Sequence, residues 1–238
     1  MKEKLYSIRW AITQALNKQP DDGYLKDAIL LVSELIGDSV PDIKPVEVKP
    51  VVKGKTLGVV IGHVKGAGGA YAPTLKTNEY DLHTIIAGKM KEYGEKIGLN
   101  VLVETRDVGG VPGAYQRLLA KKPDACLELH FNSGGGQGSE VLFSDTYDKA
   151  GINEAMFAGI VLKKMTSYLG LKSRGLKRFP GREGRGYQNV AQTTNIPSIL
   201  TECFFGDSVS DCALIKGNYD TYAKALVDGF AEFMKETS

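Results

Sequence analysis

Four residues of types that bind metals or move protons stand where elements of regular structure are expected to begin or end. His63, His130 and Glu202 each lie at or just beyond the end of a short apolar run, and Glu79 begins a helical pattern after a glycine-rich segment. Strand ends can meet at one edge of a sheet although they are distant in sequence. Two histidines and one glutamate are a ligand set of catalytic zinc that leaves one position for water. The pattern predicts such a site, with Glu202 placed to take a proton from the water.

The same residues have simpler interpretations. A lone histidine is more often a surface or hydrogen-bonded residue than a ligand, and Glu79 could be a first-turn carboxylate favoured by the helix dipole. Glu202 is harder to explain in this way, because a carboxylate in a buried strand is costly unless it is paired or near a metal. His83 follows Glu79 by one helical turn, so the spacing alone permits it to replace His63 or His130 as a ligand.

The elements that must position these residues alternate between strand and helix from residue 55 onward. Short apolar runs predict strands, and patterns of helical period predict helices between them. The predicted strands are 56–61, 100–104, 125–131, 139–144 and 198–204, and the predicted helices are 78–97, 112–121, 149–169 and 219–235. Nearly continuous apolar strands between helices indicate an α/β fold, a mixed, mostly parallel sheet with helices on both faces.

The first 54 residues have a different character. Apolar residues at helical spacing predict a small helical N-terminal module at residues 1–37. Prolines 41, 45 and 50 then disfavour helix and central strand, so residues 38–54 are predicted to be a proline-rich linker. The predicted catalytic domain therefore spans residues 55–238.

Charge and composition exclude some classes of protein. The formal net charge is only +2, so no nucleic-acid partner is indicated. No apolar run approaches the ~18 residues of a membrane-spanning helix, so no membrane insertion is expected. The N-terminus lacks the apolar core of a signal peptide, and the 3 cysteines have no metal-site spacing. Free thiols and a cytoplasmic location before any export are the resulting expectations.

Residues 55–238 resemble the zinc-dependent N-acetylmuramoyl-L-alanine amidases of the Amidase_3 family. The resemblance rests on a Gly-His pair after the first strand, a Glu on the next helix, a His-x-Asn segment and a late Pro-x-x-Leu-x-Glu strand. In this sequence the motifs are Gly62-His63, Glu79, His130-Phe131-Asn132 and residues 197–202. The Thr-Arg-Asp turn at 105–107 and Arg117 fit as well. Two features depart from the family pattern. One is the loop after His63, and the other is Glu128, which stands where a serine is common.

The resemblance implies a function and assigns the site. The implied reaction is hydrolysis of the amide between N-acetylmuramic acid and the L-alanine of the peptidoglycan stem peptide. His63, Glu79 and His130 would bind one Zn²⁺ per chain, Glu202 would be the catalytic acid and base, and His83 would lie outside the ligand set.

Substrate-binding residues are predicted from their positions relative to this site. Asn132, two residues after His130, would orient a ligand or the substrate, or would simply be a turn residue. Residues 172–187 contain six basic residues and one acid, a pattern that could hold stem-peptide carboxylates but that more often marks a solvated loop. Arg182 and Arg185, in the glycine-rich part of this segment, are the residues predicted to contact substrate. Glu128 is interpreted as an outward-facing strand residue, because side chains alternate along a strand.

The expected context is that of a phage lysis enzyme (endolysin). Such an enzyme would stay in the host cytoplasm until its release to the cell wall, and its partner would be bacterial peptidoglycan. The N-terminal helices could also mediate self-association. Two alternatives remain open at this point: a zinc carboxypeptidase acting on peptides, which would release different products, and a catalytically silent cell-wall-binding protein, which would bind without hydrolysis.

Overall fold

A six-stranded sheet forms the centre of the part of the chain that this computed structural model describes, residues 32, 53–144, 151–179, 193 and 195–237. The strands are β1 (Thr56–Ile61), β4 (Asn100–Thr105), β5 (Ala125–Asn132), β6 (Ser139–Ser144), β7 (Ser173–Phe179) and β8 (Ser198–Phe205), and the short strands β2 (Tyr71–Ala72) and β3 (Thr77–Asn78) form a separate hairpin. Across the sheet the order is β4-β1-β5-β8-β6-β7.

The sheet is mixed and mostly parallel, as the sequence predicts. β4, β1, β5 and β8 run parallel to one another, whereas β6 pairs antiparallel with β8 and parallel with β7. All residues of β5, β6 and β8 are buried, which explains why these strands read as nearly continuous apolar runs. Because β1, β5 and β8 run parallel, their carboxyl ends meet at one edge of the sheet.

Helices cover both faces of the sheet. They are α1 (Glu79–Lys96), α2 (Gly110–Leu119), α3 (Gly151–Leu169), α4 (Val209–Ile215) and α5 (Tyr219–Glu236). The larger core lies between one face and α1, α3 and α5. On the other face, Tyr115 and Leu118 of α2 pack against Val60 and Cys126. None of the described helices combines the length and apolar character needed to cross a membrane.

Most predicted elements occur, with ends that differ from the predicted ends by one or two residues. The interpretation of 172–187 as a solvated loop is wrong at its start, because Ser173–Phe179 is the edge strand β7. The strand was missed because its sequence is rich in basic residues and lacks an apolar run. Lysine and arginine are common on edge strands, where they discourage pairing with other chains. The helix α4 was not predicted.

Several predictions fall outside the described residues. These are the N-terminal module at 1–37, nearly all of the linker at 38–54, and Arg182 and Arg185. The domain division, the self-association and the role of the two arginines therefore remain predictions. The three cysteines are free and buried, in agreement with the sequence.

Candidate active site

The loop after β1 and the start of α1 bring His63 and Glu79 to the carboxyl edge of the sheet. The chain leaves β1 through Gly62, whose N–H donates to the Leu129 carbonyl at 3.1 Å. His63 then adopts a left-handed φ of 64°, which turns its side chain back over the edge. Glu79 is the first residue of α1, and its N–H donates to the Ala70 carbonyl at 3.1 Å. Backbone hydrogen bonds at the two ends of the glycine-rich loop thus place both ligand candidates.

Glu79 lies between the two histidines. Its Oε1 is 3.1 Å from Nε2 of His63, and its Oε2 is 2.9 Å from Nδ1 of His130. The same Oε2 accepts the Phe131 N–H at 3.2 Å, which ties the carboxylate to the end of β5. One ligand atom from each of the three residues lies within 4.8 Å of the other two. The sequence prediction that these residues converge is confirmed.

Two glycines make room for this cluster. A Cβ at Gly62 would lie 2.5 Å from the His130 ring, and a Cβ at Gly69 would lie 2.4 Å from the His63 ring and 2.7 Å from Oε1 of Glu79. Gly69 also has a φ of +80°, which other residues rarely adopt. The loop backbone can therefore approach both imidazoles only because these positions lack side chains.

The donor set fits a zinc ion. Two imidazole nitrogens and a carboxylate are a ligand set of catalytic zinc, and His63, which is partly exposed, faces solvent. Burial would raise the pKa of Glu79, but hydrogen bonds from His130 and His63 outweigh it and hold that pKa well below its usual range. A carboxylate that stays ionised in a buried position is suited to a cation.

His83 lies apart from the ligand cluster. It is fully buried, its Nε2 lies 3.3 Å from the Tyr222 hydroxyl, and its ring contacts that of Phe131. Burial lowers the pKa of His83 to about 3, so it is neutral at physiological pH. Although it shares a helical face with Glu79, it belongs to the core beneath the site. The open alternative that it replaces His63 or His130 as a ligand is not supported.

Glu202 lies beside His130 on the neighbouring strand. The Cα atoms of His130 and Glu202 are in register between β5 and β8, and Glu202 is in turn paired with Glu140 of β6. Partners in register point to the same face of a sheet, so these three side chains form a row. The register shifts immediately after this pair, where β8 contains an extra residue before Phe205. Such irregularities commonly re-aim side chains next to active sites.

Most of this fold matches the model of a known protein family. The family model described as N-acetylmuramoyl-L-alanine amidase, Amidase_3, matches residues 58–232. The chain belongs to the Amidase_3 family. No curated protein sequence matches the chain significantly.

Solved structures share the fold of this Amidase_3 protein. An N-acetylmuramoyl-L-alanine amidase from Clostridium difficile 630 is 22% identical, with a TM-score of 0.66 over 78% of this chain and 100% of that chain. Cwp6 from Clostridium difficile is 26% identical, with a TM-score of 0.63 over 77% of this chain and 29% of that chain. The catalytic domain of the CD27L endolysin targeting Clostridia difficile is 22% identical, with a TM-score of 0.58 over 74% of this chain and 96% of that chain.

Asn132 contacts the second glutamate of the row. Its Nδ2 donates to Oε1 of Glu140 at 2.8 Å, and Nε of Arg174 donates to Oε2 of Glu140 at 2.8 Å. Lys177 lies 3.7 Å from the same oxygen, and the Arg174 guanidinium stacks over the Phe205 ring at 4.8 Å. Asn132 therefore ends β5 as part of a polar network, and the Amidase_3 site is bordered by β7. Sequence reasoning missed Glu140, although a lone acid in an apolar strand is a recognisable signal.

The interpretation of Glu128 as an outward-facing residue is wrong. Glu128 has 0% of its surface exposed and forms an ion pair with Arg106 of the Thr-Arg-Asp turn. Tyr115 donates to its Oε2 at 3.0 Å from α2, which covers this face of the sheet. Because α2 buries the face, alternation along β5 points Glu128 toward protein and not toward solvent. The signal for its position was present, since Glu128 and His130 are two residues apart and share a face.

Two aspartates hold the glycine-rich loop that follows β5. Oδ2 of Asp207 accepts the N–H groups of Gly134 and Gly135 at 2.8 and 2.7 Å. Oδ2 of Asp211 accepts the Gly138 N–H at 2.7 Å, and Asp211 itself lies in α4. These bonds connect the loop after His130 to the loop after Glu202. Asp207 and Asp211 thus position one wall of the site.

Proposed function

We propose that this protein is a zinc-dependent N-acetylmuramoyl-L-alanine amidase that hydrolyses the bond between N-acetylmuramic acid and the L-alanine of the stem peptide. The observation that carries the proposal is the juxtaposition of His63, Glu79 and His130, with Glu202 in register beside His130. Family membership supports peptidoglycan as the substrate.

The chain's own residues divide the work of hydrolysis. His63, Glu79 and His130 would hold the ion, which when bound supplies Lewis-acid polarisation and a more acidic water. Glu202 would accept the proton of the attacking water and then deliver it to the leaving nitrogen of L-alanine. A carboxylate suits both steps because it can hold the proton between them. The register with His130 supports this assignment, since Glu202 neighbours one proposed ligand and lies outside the cluster of three.

Product analysis of digested peptidoglycan tests the reaction. The purified protein should release stem peptides with a free N-terminal L-alanine and leave glycan strands whose lactyl groups end in a free carboxyl, as detected by mass spectrometry. Chelation should abolish release, and added Zn²⁺ should restore it. Release of D-alanine alone would identify a carboxypeptidase, and binding without any release would identify a silent wall-binding protein. Either result would overturn the amidase proposal.

We also propose that the enzyme acts in lysis from within the host cell, as an endolysin. The support is that the same fold serves the catalytic domain of the CD27L endolysin. Expression in a bacterial host should cause lysis only when a holin is expressed with it. Lysis of equal speed without the holin would contradict this context, and it would leave the proposed reaction unaffected.

Arg182 and Arg185 stay the predicted contacts for stem-peptide carboxylates. Their neighbours along the chain in β7 support a basic border to the site, because Arg174 and Lys177 both approach Glu140 there. Replacing both arginines by glutamine should raise KM for muropeptides with little change in kcat. A change in kcat alone would contradict a binding role.

A further inference from the structure

The two nitrogens of His130 face different carboxylates. Nδ1 lies 2.9 Å from Oε2 of Glu79, and Nε2 lies 3.2 Å from Oε1 of Glu128. Nε2 also lies 3.0 Å from Nη2 of Arg106. A neutral imidazole carries a proton on only one nitrogen, so the partners of Nε2 decide whether Nδ1 is free to bind a metal.

Arg106 and Glu128 require opposite states of Nε2, without and with a proton. A guanidinium only donates hydrogen bonds, so Arg106 can satisfy Nε2 only when that nitrogen is unprotonated and the proton is on Nδ1. That tautomer presents no lone pair toward Glu79 and cannot bind a metal there. A carboxylate only accepts, so Glu128 can satisfy Nε2 only when it carries the proton. This second tautomer leaves the Nδ1 lone pair directed into the cluster of His63 and Glu79.

The contacts of Glu128 favour one side of this competition. Arg106 makes its closest contact with Oε1 of Glu128, and a guanidinium binds an ionised carboxylate more strongly than a neutral imidazole nitrogen. The Tyr115 hydroxyl donates to Oε2 at 3.0 Å and fixes the rotation of the carboxylate. A carboxylate oxygen can accept two hydrogen bonds, so Oε1 can take N–H groups from both Arg106 and His130. Glu128 and Arg106 are both well buried, with side-chain exposures of 0% and 12%, so water competes little for these bonds.

We propose that Glu128 is a positioning residue that accepts the Nε2–H of His130 and so selects the tautomer that offers Nδ1 to the metal. Arg106 and Tyr115 hold Glu128 in place for this task. Ligand histidines commonly donate their second N–H to a carboxylate, and loss of that partner typically costs ~10–100-fold in metal affinity. The inference rests on the proposed metal site but not on the identity of the substrate.

The tautomer of His130 can be observed in the full-length wild-type protein. The chain has only 3 histidines, so ¹⁵N-labelled imidazoles give few signals, and the His130 signals are those absent from H130Q. With Zn²⁺ bound, we expect a proton on Nε2 and metal-shifted Nδ1. A proton on Nδ1 of His130 in the zinc-loaded protein would overturn the proposal.

Variants test the contribution of Glu128 to metal affinity. The double substitution R106M/E128M removes both charges together, which avoids a buried unpaired charge and is often neutral for stability. Zinc affinity, measured by competition with a chelating dye, should fall ~10–100-fold while the urea midpoint stays near the wild-type value. Y115F is the graded comparison: it removes a hydrogen bond to the other oxygen of Glu128 but keeps the acceptor of the His130 Nε2–H, so its zinc affinity should fall less than that of R106M/E128M.

The outcomes separate this inference from the proposed function. Unchanged zinc affinity in folded R106M/E128M would overturn the role of Glu128, even if the wild type is an active amidase. Conversely, an inactive wild type with the expected tautomer and affinity loss would support Glu128 and overturn only the amidase activity. If the double variant does not fold, the tautomer of His130 in the wild-type protein alone decides whether the role of Glu128 is accepted or rejected.

Discussion

Glutamates on one face of the sheet have different partners and therefore different roles. Glu140 is held by Asn132 and Arg174, and Glu128 by Arg106 and Tyr115, so the charges of both are committed to neighbouring groups. Glu202 lies in the row between His130 and Glu140. Its place directly beside His130 distinguishes the proposed base from the two glutamates that organise its surroundings.

Glu202→Gln should leave a folded, zinc-loaded and nearly inactive protein. Glutamine keeps the shape of the side chain but cannot take up a proton, and loss of a general base typically costs ~10²–10⁴-fold in rate. We expect the upper part of that range, because Glu202 serves both proton transfers. Muropeptide release and bound zinc should be measured on the same preparation.

Glu140→Gln is the matched control, since Glu140 is equally buried on the adjacent strand. It should lose less activity than Glu202→Gln. Equal losses would remove the distinction between the two carboxylates, and loss of zinc from Glu202→Gln would make Glu202 a ligand.

The three histidines should respond differently to replacement by alanine. His63→Ala and His130→Ala should lose bound zinc, because each removes one of three ligands. His83→Ala should retain zinc but lower the free energy of unfolding, because it leaves a cavity beside Tyr222. Elemental analysis with thermal denaturation checks both parts. Zinc loss confined to His83→Ala would show that the ligand assignment is wrong.

At the scale of elements, loops that follow different strands are fastened to one another at the site edge. Asp107, in the turn after β4, accepts the Lys65 N–H at 2.8 Å and the Tyr80 hydroxyl at 2.8 Å. This turn also carries Arg106. The loop after His63, the start of α1 and the turn after β4 therefore form one network.

Arg117 of α2 is the main support of that turn. It donates to Glu104 at 2.7 Å, to the Thr105 carbonyl at 2.7 Å and to the Val108 carbonyl at 2.9 Å. Arg117→Met should lower the free energy of unfolding by about 1–3 kcal/mol, because hydrogen bonds from a charged donor are lost. Urea denaturation provides the measurement.

Lys121→Met is the comparison for this prediction. Lys121 also binds Glu104, at 2.7 Å, but it is half-exposed and makes no contact with the turn carbonyls. Its removal should cost less than about 1 kcal/mol, as for other exposed ion pairs. A larger cost for Lys121→Met than for Arg117→Met would show that Glu104, and not the turn, is the important partner.

At the scale of the whole molecule, the described sheet and its helices contain the four residues proposed to bind the metal and transfer protons. Among the described residues, the larger core has 36 buried members, and both it and the smaller core under α2 lie between Leu57 and Met234. His63, Glu79, His130 and Glu202 all belong to this part of the chain.

A fragment beginning at Lys53 should accordingly fold and cleave purified peptidoglycan. Its specific activity and urea midpoint should match those of the full chain on soluble muropeptides. Insolubility, or a clearly lower midpoint, would mean that residues 1–52 complete the core. Normal activity on muropeptides with weaker activity on intact walls would instead assign the N-terminal segment to wall binding.

The sequence by itself determined most of the order of elements and indicated the residues that form the cluster. Buried parallel strands are apolar along their whole length, and the helices between them keep a helical period, so both leave local signals. His63, His130 and Glu202 were recognisable because polar residues at the ends of such strands stand out. Glu79 was identified by its place at the start of α1.

Only the tertiary structure decided what covers each face and which neighbours a side chain meets. The packing of α2 buries Glu128, the pairing with β6 makes residues 173–179 a strand, and the contact with Tyr222 places His83, which spacing alone permitted as a ligand, in the core. These outcomes depend on contacts between residues far apart in the chain. Local periodicity reports that a strand has two faces, but the packing of a distant helix determines which of them meets water.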